Sequence, residues 1–467
     1  MNFFDDIDKF GSSIAIITEN SSEITYSTLV NEADALKVNL KKRCLVFCVC
    51  ENNFESLVGY IGMLRAKVVP VLISDSTNEE LFQGLLQSYR PEYVWISQSN
   101  AGYVNNSKVI YRFGEYVLLE TCSYTDYEIH KDLAILLTTS GSTGSPKLVK
   151  QSYKNIISNA NAIAQYLDIK DFDRPITTLP MSYTYGLSII NSHLLKGASI
   201  IFTNKTLMDK EFWELLKKYN ATTFGGVPYI YEMLKKLRFS RMKLPSLKIL
   251  TQAGGKLNAE LSSEFAEICE QKGIKFIVMY GQTEATARMS YLPCEFARSK
   301  AGSIGLPIPG GKFSIVDEEG QVITQCNTSG ELIYRGDNVT MGYAQNCYDL
   351  SKGDENSGIL KTGDMAKFDA DGFYYITGRK KRFLKLFGSR VNLDEIELLL
   401  NKSGFECVCT GVDDELKVYT TNPRNEEVRD FVLNHTEINP KGFTVHYIET
   451  IPRNDSGKVM YANLDIK

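Results

Sequence analysis

The chain has 467 residues, of which 43% are hydrophobic, and its 52 Lys and Arg residues nearly balance 56 Asp and Glu residues, for a net charge of −4. A domain typically has ~100–200 residues, so this length predicts several domains and excludes a small binding module. A charge so close to neutral gives no electrostatic basis for binding nucleic acid or an anionic membrane surface, and neither partner is expected.

The N-terminus is acidic and has no basic segment followed by an apolar stretch. No apolar run reaches the ~20 residues that cross a bilayer, so we expect a cytoplasmic protein without a membrane partner. In that compartment the ten Cys residues are expected to be reduced. The pairs Cys48/Cys50 and Cys407/Cys409 are each expected to be buried on one face of a strand. No His residue accompanies them in a zinc-binding pattern.

Short apolar runs alternate with helical patterns through much of the chain. The predicted strands are 44–50, 68–73, 133–137, 199–203, 247–251 and 275–279, and the predicted helices are 27–40, 54–64, 210–219 and 260–272. This alternation predicts an α/β fold with parallel sheets and covering helices. From residue 303 onward the pattern is more β-like, and the basic stretch 378–382 is the best boundary. The predicted domains are therefore 1–380 and a small α+β domain, 381–467.

A loop rich in glycine and hydroxyl residues, 138–144, follows the predicted strand 133–137. Its N–H and O–H groups can wrap phosphate oxygens, and Lys147 adds a positive charge at its end. The loop is not a Walker A motif, because Pro146 precedes the lysine and Leu148 follows it. A flexible Ser/Gly linker is the alternative, although a linker rarely interrupts a core bounded by strands.

Segment 139–147, Thr-Ser-Gly-Ser-Thr-Gly-Ser-Pro-Lys, resembles the phosphate-loop signature of the adenylate-forming superfamily. That superfamily includes acyl- and aryl-CoA synthetases, adenylation domains of nonribosomal peptide synthetases and firefly luciferase. Further segments resemble its other motifs in the same order: 180–187, 280–284, 330–332 with 342–343, 362–364, 378–397 and 452–458. The resemblance spans nearly the whole chain. It implies a large N-terminal domain of α/β subdomains with a β-rich subdomain, followed by a small mobile α+β lid.

The resemblance also implies a reaction: ATP and a carboxylic acid form an acyl or aryl adenylate and pyrophosphate, and the acyl group then passes to a thiol. Cations and N–H donors must converge on the phosphates for this chemistry. Lys458 is the implied catalytic residue, and Glu284 is the implied Mg²⁺ ligand. The implied ATP-binding residues are Thr139, Ser140, Gly141, Ser142, Thr143, Gly144, Lys147, Gly254, Gly255, Lys256, Tyr280, Gly281, Gln282, Thr283, Asp364 and Arg379.

Lys381 is the implied hinge, and Lys385 and Gly388 are the implied thiol-channel residues. The candidate acid pocket comprises Tyr183, Tyr185, Gly186, Gly226, Val227, Ala253, Met289 and Ser290. This mixture of aromatic, small and apolar residues suits an aryl acid or a short to medium acyl acid. Thr184 stands where amino-acid-activating domains place the Asp that binds the ammonium group, which disfavours an amino acid.

Other departures concern the acceptor. Tyr183 stands where many acyl-CoA synthetases have His, Tyr461 replaces the Arg that commonly follows the closing loop, and the C-terminal domain is compressed at 413–420. CoA is the first choice as acceptor, and the phosphopantetheine arm of an acyl carrier protein is the alternative. A non-catalytic nucleotide-binding regulatory protein is the alternative from another class, which the presence of Lys458, Glu284, Asp364 and Arg379 disfavours.

Overall fold

The computed structural model describes residues 3–123, 126–138, 147–387, 389–436, 438–453 and 459–464. The helices are α1 (Phe3–Asp6), α2 (Tyr26–Lys37), α3 (Phe54–Arg65), α4 (Glu79–Tyr89), α5 (Tyr153–Tyr166), α6 (Thr184–Leu194), α7 (Lys210–Lys218), α8 (Pro228–Lys236), α9 (Ala259–Lys272), α10 (Leu393–Lys402) and α11 (Asn425–His435). The strands up to residue 226 are β1 (Ile14–Ile17), β2 (Glu23–Thr25), β3 (Leu45–Cys50), β4 (Val69–Ser74), β5 (Tyr93–Ser97), β6 (Lys108–Phe113), β7 (Tyr116–Glu120), β8 (Leu133–Thr138), β9 (Leu148–Ser152), β10 (Ile200–Ile201) and β11 (Thr223–Gly226). The later strands are β12 (Ile249–Gln252), β13 (Lys275–Tyr280), β14 (Ser290–Leu292), β15 (Leu306–Pro307), β16 (Lys312–Val316), β17 (Gly330–Arg335), β18 (Tyr343–Ala344), β19 (Ile359–Phe368), β20 (Tyr374–Arg379), β21 (Phe383–Leu386), β22 (Ser389–Asn392), β23 (Cys407–Val412), β24 (Glu415–Thr420) and β25 (Phe443–Tyr447).

The chain forms two compact units. The first comprises Met1–Lys312 and Tyr334–Leu360, and the second comprises Phe313–Ile333 and Lys361–Lys467. The domain boundary predicted between residues 380 and 381 stays a prediction.

The first unit is built on an eight-stranded sheet with the order β18-β9-β8-β4-β3-β5-β7-β6. Its centre is parallel, since β3 pairs in parallel with both β4 and β5, and β4 pairs in parallel with β8. All six residues of β3 are buried, as expected for a central strand covered on both faces. Cys48 and Cys50 are among them, which confirms their predicted burial.

A second sheet of this unit, β11-β12-β13-β14-β15, presents two loops at the carboxyl ends of neighbouring parallel strands. The loop after β12 contains Gly254, and the loop after β13 contains Glu284. Open α/β sheets place ligands at this kind of strand end, so the sheet brings two predicted ATP-binding segments to one edge.

The second unit contains the sheet β16-β17-β19-β20, the hairpin β21-β22 and the sheet β23-β24-β25. Leu400 and Val432, from α10 and α11, share a core with Cys409 and Val418. Cys407 and Cys409 are buried as predicted. Helices and sheets in both units confirm the mixed α/β fold class.

Within the described residues, no helix combines the length and the apolar character needed to span a membrane.

Candidate active site

A tight turn directly after β13 presents Glu284. A short 3₁₀ helix, Thr283–Ala285, follows Tyr280-Gly281-Gln282. Gly281 is required here because a Cβ atom at this position would lie 1.7 Å from the carbonyl oxygen of Ala287. Thr286 ends the turn with φ +64°, a value that a β-branched residue rarely adopts. Backbone strain of this kind persists only where the surroundings fix the conformation.

Several hydrogen bonds fix Thr286. Its hydroxyl donates to the carbonyl oxygen of Asn338 at 2.7 Å. Its own carbonyl oxygen accepts from the hydroxyl of Thr184 and from Nε2 of Gln151, the latter at 3.4 Å. Three separate segments therefore hold the turn that presents Glu284.

The Glu284 carboxylate belongs to a chain of contacts with Tyr343 and Lys147. The Tyr343 hydroxyl donates to Oε1 of Glu284 at 2.6 Å. Nζ of Lys147 lies 3.1 Å from the centroid of the Tyr343 ring. Burial, and then the negative charge of Glu284, raise the pKa of Tyr343, so the phenol stays protonated and donates. The contacts connect the lysine after the predicted phosphate loop to the predicted metal ligand.

The carboxylate suits a magnesium ion bound to nucleotide phosphates. Among the described residues, Tyr343 is the one hydrogen-bond donor to this side chain, and it uses Oε1, which leaves Oε2 available. Magnesium in nucleotide sites is usually held by one or two carboxylates together with phosphate oxygens and water. The described residues contain no cluster of three or more His, Cys, Asp or Glu side chains that forms a metal cage. Glu284 therefore fits a site in which a single carboxylate and phosphate oxygens hold the magnesium ion.

A buried residue that no sequence motif indicated, Gln252, holds the loop after β12. Gln252, the last residue of β12, is 1% exposed, and its Nε2 donates to the carbonyl oxygen of Gly255 at 2.9 Å. Gly254 has φ +83° in the same loop, which precedes Lys256. The sequence offered one sign of this role, an amide side chain at the end of an apolar strand, because a buried amide needs a hydrogen-bond partner.

Several of the candidate acid-pocket residues meet in one core cluster of the first unit. Tyr183, Tyr185, Val227 and Ala253 belong to this cluster together with Met279. The ring centroids of Tyr183 and Tyr185 lie 6.5 Å apart, and burial raises the pKa of Tyr183 to about 12. The remaining candidates Gly186, Gly226, Met289 and Ser290 are buried. The Ser290 hydroxyl donates to the Ile304 carbonyl oxygen at 2.6 Å, so it already has a partner.

The second unit holds the predicted nucleotide ligands Asp364 and Arg379. Strands β19 and β20 pair in the antiparallel direction, and this pairing places Asp364 directly opposite Arg379. Nε of Arg379 lies 3.3 Å from Oδ1 of Asp364, and the Asp364 side chain is 6% exposed against 67% for Arg379. The arginine side chain is therefore largely accessible while the carboxylate is buried beneath it.

A partly buried ion cluster surrounds Arg382, which directly follows the predicted hinge residue Lys381. Arg382 binds Asp394 and Glu397, and its guanidinium carbon lies 4.3 Å from the ring centroid of Tyr461. The Tyr461 hydroxyl donates to Oε2 of Glu397 at 3.3 Å. Tyr461 thus packs on the arginine that directly follows the predicted hinge residue.

Lys385, a predicted thiol-channel residue, lies in the hairpin β21-β22 with an exposed side chain. Its backbone N–H donates to Oδ1 of Asp413 at 2.8 Å. The other predicted site residues Thr139, Ser140, Gly141, Ser142, Thr143, Gly144, Gly388 and Lys458 lie outside the described residues.

Comparison with known proteins connects this geometry to a family. Residues 3–344 match the AMP-binding enzyme family. The chain is 29% identical over 344 residues to 2-succinylbenzoate–CoA ligase of Bacillus licheniformis. This alignment covers 70% of this chain and 69% of the relative. It is also 29% identical over 345 residues to oxalate–CoA ligase of Arabidopsis thaliana, in an alignment that covers 70% of this chain and 66% of the relative.

Among solved structures, O-succinylbenzoate coenzyme A synthetase of Bacillus subtilis in complex with AMP matches with a TM-score of 0.80 and 23% identity. The match covers 99% of this chain and 98% of that one, and at this identity it supports the fold. The fold and the family predicted from the ordered motifs are confirmed. The matched segment spans well over half of the chain, and the chain therefore belongs to the family of AMP-binding enzymes.

Proposed function

We propose that this chain is an AMP-forming acid–CoA ligase. It would join a carboxylic acid to AMP with release of pyrophosphate and then pass the acyl group to the thiol of CoA. The family match and the CoA ligases among the relatives support this function. The single structural observation that carries it is the contact chain Lys147–Tyr343–Glu284, which connects a carboxylate to the lysine that ends the predicted phosphate-loop segment of the sequence.

The first unit would bind the triphosphate and the adenine. The loop 139–144 and Lys147 would bind the β- and γ-phosphates through N–H, O–H and ammonium donors. The loop of Gly254, Gly255 and Lys256 would contact the adenine, and so would the segment of Tyr280, Gly281, Gln282 and Thr283. Glu284 would hold Mg²⁺, which supplies positive charge to the phosphate oxygens when bound.

The second unit would contribute the ribose ligand and the catalytic cation. Asp364 would accept hydrogen bonds from the ribose hydroxyls, and Arg379 would contact the nucleotide. The Lys458 ammonium would stabilise negative charge shared between the acid and the α-phosphate, because a preorganised cation stabilises charge that develops in the transition state. We further propose that residues 381–467 rotate about Lys381 after adenylation. Lys385 and Gly388 would then line the channel for the thiol.

The acceptor is tested by product analysis. The protein is incubated with ATP, Mg²⁺ and a panel of aryl and short acyl acids, with CoA or with a phosphopantetheinylated carrier protein, and thioesters are identified by mass spectrometry. We expect acyl-CoA to form for at least one acid. Loading of the carrier protein without acyl-CoA would replace CoA by the carrier as acceptor, and ATP binding without AMP release for any acid would indicate a non-catalytic nucleotide-binding protein.

A further inference from the structure

Arg288 is a buried arginine that the proposed reaction does not yet use. It lies between the turn that presents Glu284 and the strand β14, and it is 2% exposed. Two asparagines hold its backbone: Nδ2 of Asn159 and Nδ2 of Asn338 each donate to its carbonyl oxygen at 2.9 Å. Two side chains therefore hold the backbone of this residue.

Neutral groups surround the guanidinium. Nε and Nη2 donate to the hydroxyl of Ser188 at 3.3 and 3.1 Å, and Nη1 contacts Sδ of Met279 at 2.9 Å. Its carbon lies 3.9 Å from the centroid of the Tyr185 ring. Among the described residues, no carboxylate forms an ion pair with Arg288. Buried arginines almost always have an anionic partner, because removing a charge from water is costly.

The contacts of Arg288 place it against the candidate acid pocket. Tyr185, whose ring it faces, is one of the pocket candidates, and Met279 shares a core cluster with Tyr183, Tyr185 and Val227. The next two residues along the chain, Met289 and Ser290, are also pocket candidates. The guanidinium therefore borders the candidate acid pocket at Tyr185.

The present partners of the guanidinium are easily exchanged. A thioether sulfur is a weak acceptor, and one hydroxyl is shared between two nitrogen atoms. A carboxylate would instead accept two parallel N–H bonds from the planar guanidinium and would supply the missing negative charge. Ser188 also lines a small cavity with Gln151 and Thr184, so polar groups border this end of the side chain.

We infer that Arg288 binds a second carboxylate of the acid substrate, and that the substrate is a dicarboxylic acid of which one carboxylate is adenylated. The inference rests on the proposed function and deepens it, since it names the chemical class of the acid. Among aryl and acyl acids, the inference favours those with a second carboxylate that can contact Arg288.

Matched pairs of acids test the inference. Pentanedioate is compared with pentanoate, and benzene-1,2-dicarboxylate with benzoate, by acid-dependent release of pyrophosphate. A hydrogen-bonded ion pair predicts a kcat/KM about 10- to 100-fold higher for the diacid in at least one pair. Arg288→Met is expected to remove that advantage, and Arg288→Lys is expected to retain part of it. A monoacid preferred in every pair would overturn the inference.

Binding separates this inference from the proposed function. The AMP-loaded protein is titrated calorimetrically with the diacid and the monoacid of each pair, and Arg288→Met is first checked for an unchanged Tm and AMP affinity. If the wild type binds a diacid more tightly than its monoacid and Arg288→Met does not, the role of Arg288 is supported, even without turnover. Absence of turnover for every acid would reject the proposed ligase activity and not the role of Arg288. Equal affinity of the wild type for both acids of each pair would overturn the inference. An equal loss of affinity for the diacid and the monoacid in Arg288→Met would also overturn it.

Discussion

The hydroxyl of Tyr343 donates a 2.6 Å hydrogen bond to the carboxylate of Glu284, although 58 residues lie between them in the chain. The bond fixes one oxygen of the predicted metal ligand and leaves the other available. Nζ of Lys147 lies over the same ring, so a cation from the end of the predicted phosphate loop reaches this pair.

Tyr343→Phe tests the role of the hydroxyl. The variant keeps the ring beneath Lys147 and removes the donor to Glu284. A hydrogen bond to a charged group contributes about 1.5 kcal/mol at the low end, so adenylation is expected to fall about tenfold. Half-saturation by Mg²⁺ should also move to a higher concentration. Tyr229→Phe, at a half-exposed position, is the control and should match the wild type. An unchanged Mg²⁺ requirement in Tyr343→Phe would separate this bond from metal binding.

Gly281→Ala tests the close packing of the turn. The added methyl group would lie 1.7 Å from the Ala287 carbonyl oxygen, so the backbone must move and Glu284 with it. We expect a lower Tm and loss of most adenylating activity. Gly84→Ala is the control, since nothing lies within 4 Å of its Cβ position in α4. That change should be neutral or stabilising by about 0.5–1 kcal/mol. Wild-type activity in Gly281→Ala would contradict the packing argument.

The ion pair of Lys150 and Glu355 predicts an asymmetric effect on stability. The Lys150 side chain is fully buried and its Nζ lies 2.9 Å from Oε2 of Glu355, whose side chain is 48% exposed. Lys150→Met leaves a carboxylate that water can solvate, whereas Glu355→Gln leaves a buried positive charge without a counter-charge. Glu355→Gln is therefore expected to cost about 3 kcal/mol and Lys150→Met less. Urea denaturation measures both, and the reverse order would show that packing around the lysine outweighs its charge.

The cysteines are predicted to differ sharply in reactivity. All ten are free thiols, and Cys122 and Cys326 are exposed. Burial raises the pKa of Cys44 and Cys269 to about 12, so these side chains hold almost no thiolate, which is the reactive form. A disulfide reagent should modify Cys122 and Cys326 first in the native protein, and all ten residues in denaturant. Cys122→Ser with Cys326→Ser should remove the fast phase, and a persistent fast phase would indicate that a buried thiol opens to solvent.

Local sequence patterns predicted much of the fold. The apolar run 44–50 became β3, and the helical spacing at 54–64 became α3, because period and burial agree there. The segment 280–284 that contains Glu284 was also identified from the sequence, since its motif is contiguous. Contacts between distant residues were not predicted: nothing near Arg288 shows that it faces Tyr185, and nothing near Lys150 shows that it pairs with Glu355. The local sign of each was a charged residue beside apolar ones, since Lys150 follows Val149 and Arg288 lies between Ala287 and Met289.

Acid-dependent exchange of labelled pyrophosphate into ATP measures whether the chain activates a carboxylic acid with ATP. We expect exchange for at least one acid of a panel containing monoacids and diacids. Lys458→Ala should abolish this exchange, while Lys441→Ala, at an exposed position of the second unit, should retain it. Absence of exchange for every acid, from protein that binds ATP, would show that the chain does not form an adenylate with these acids.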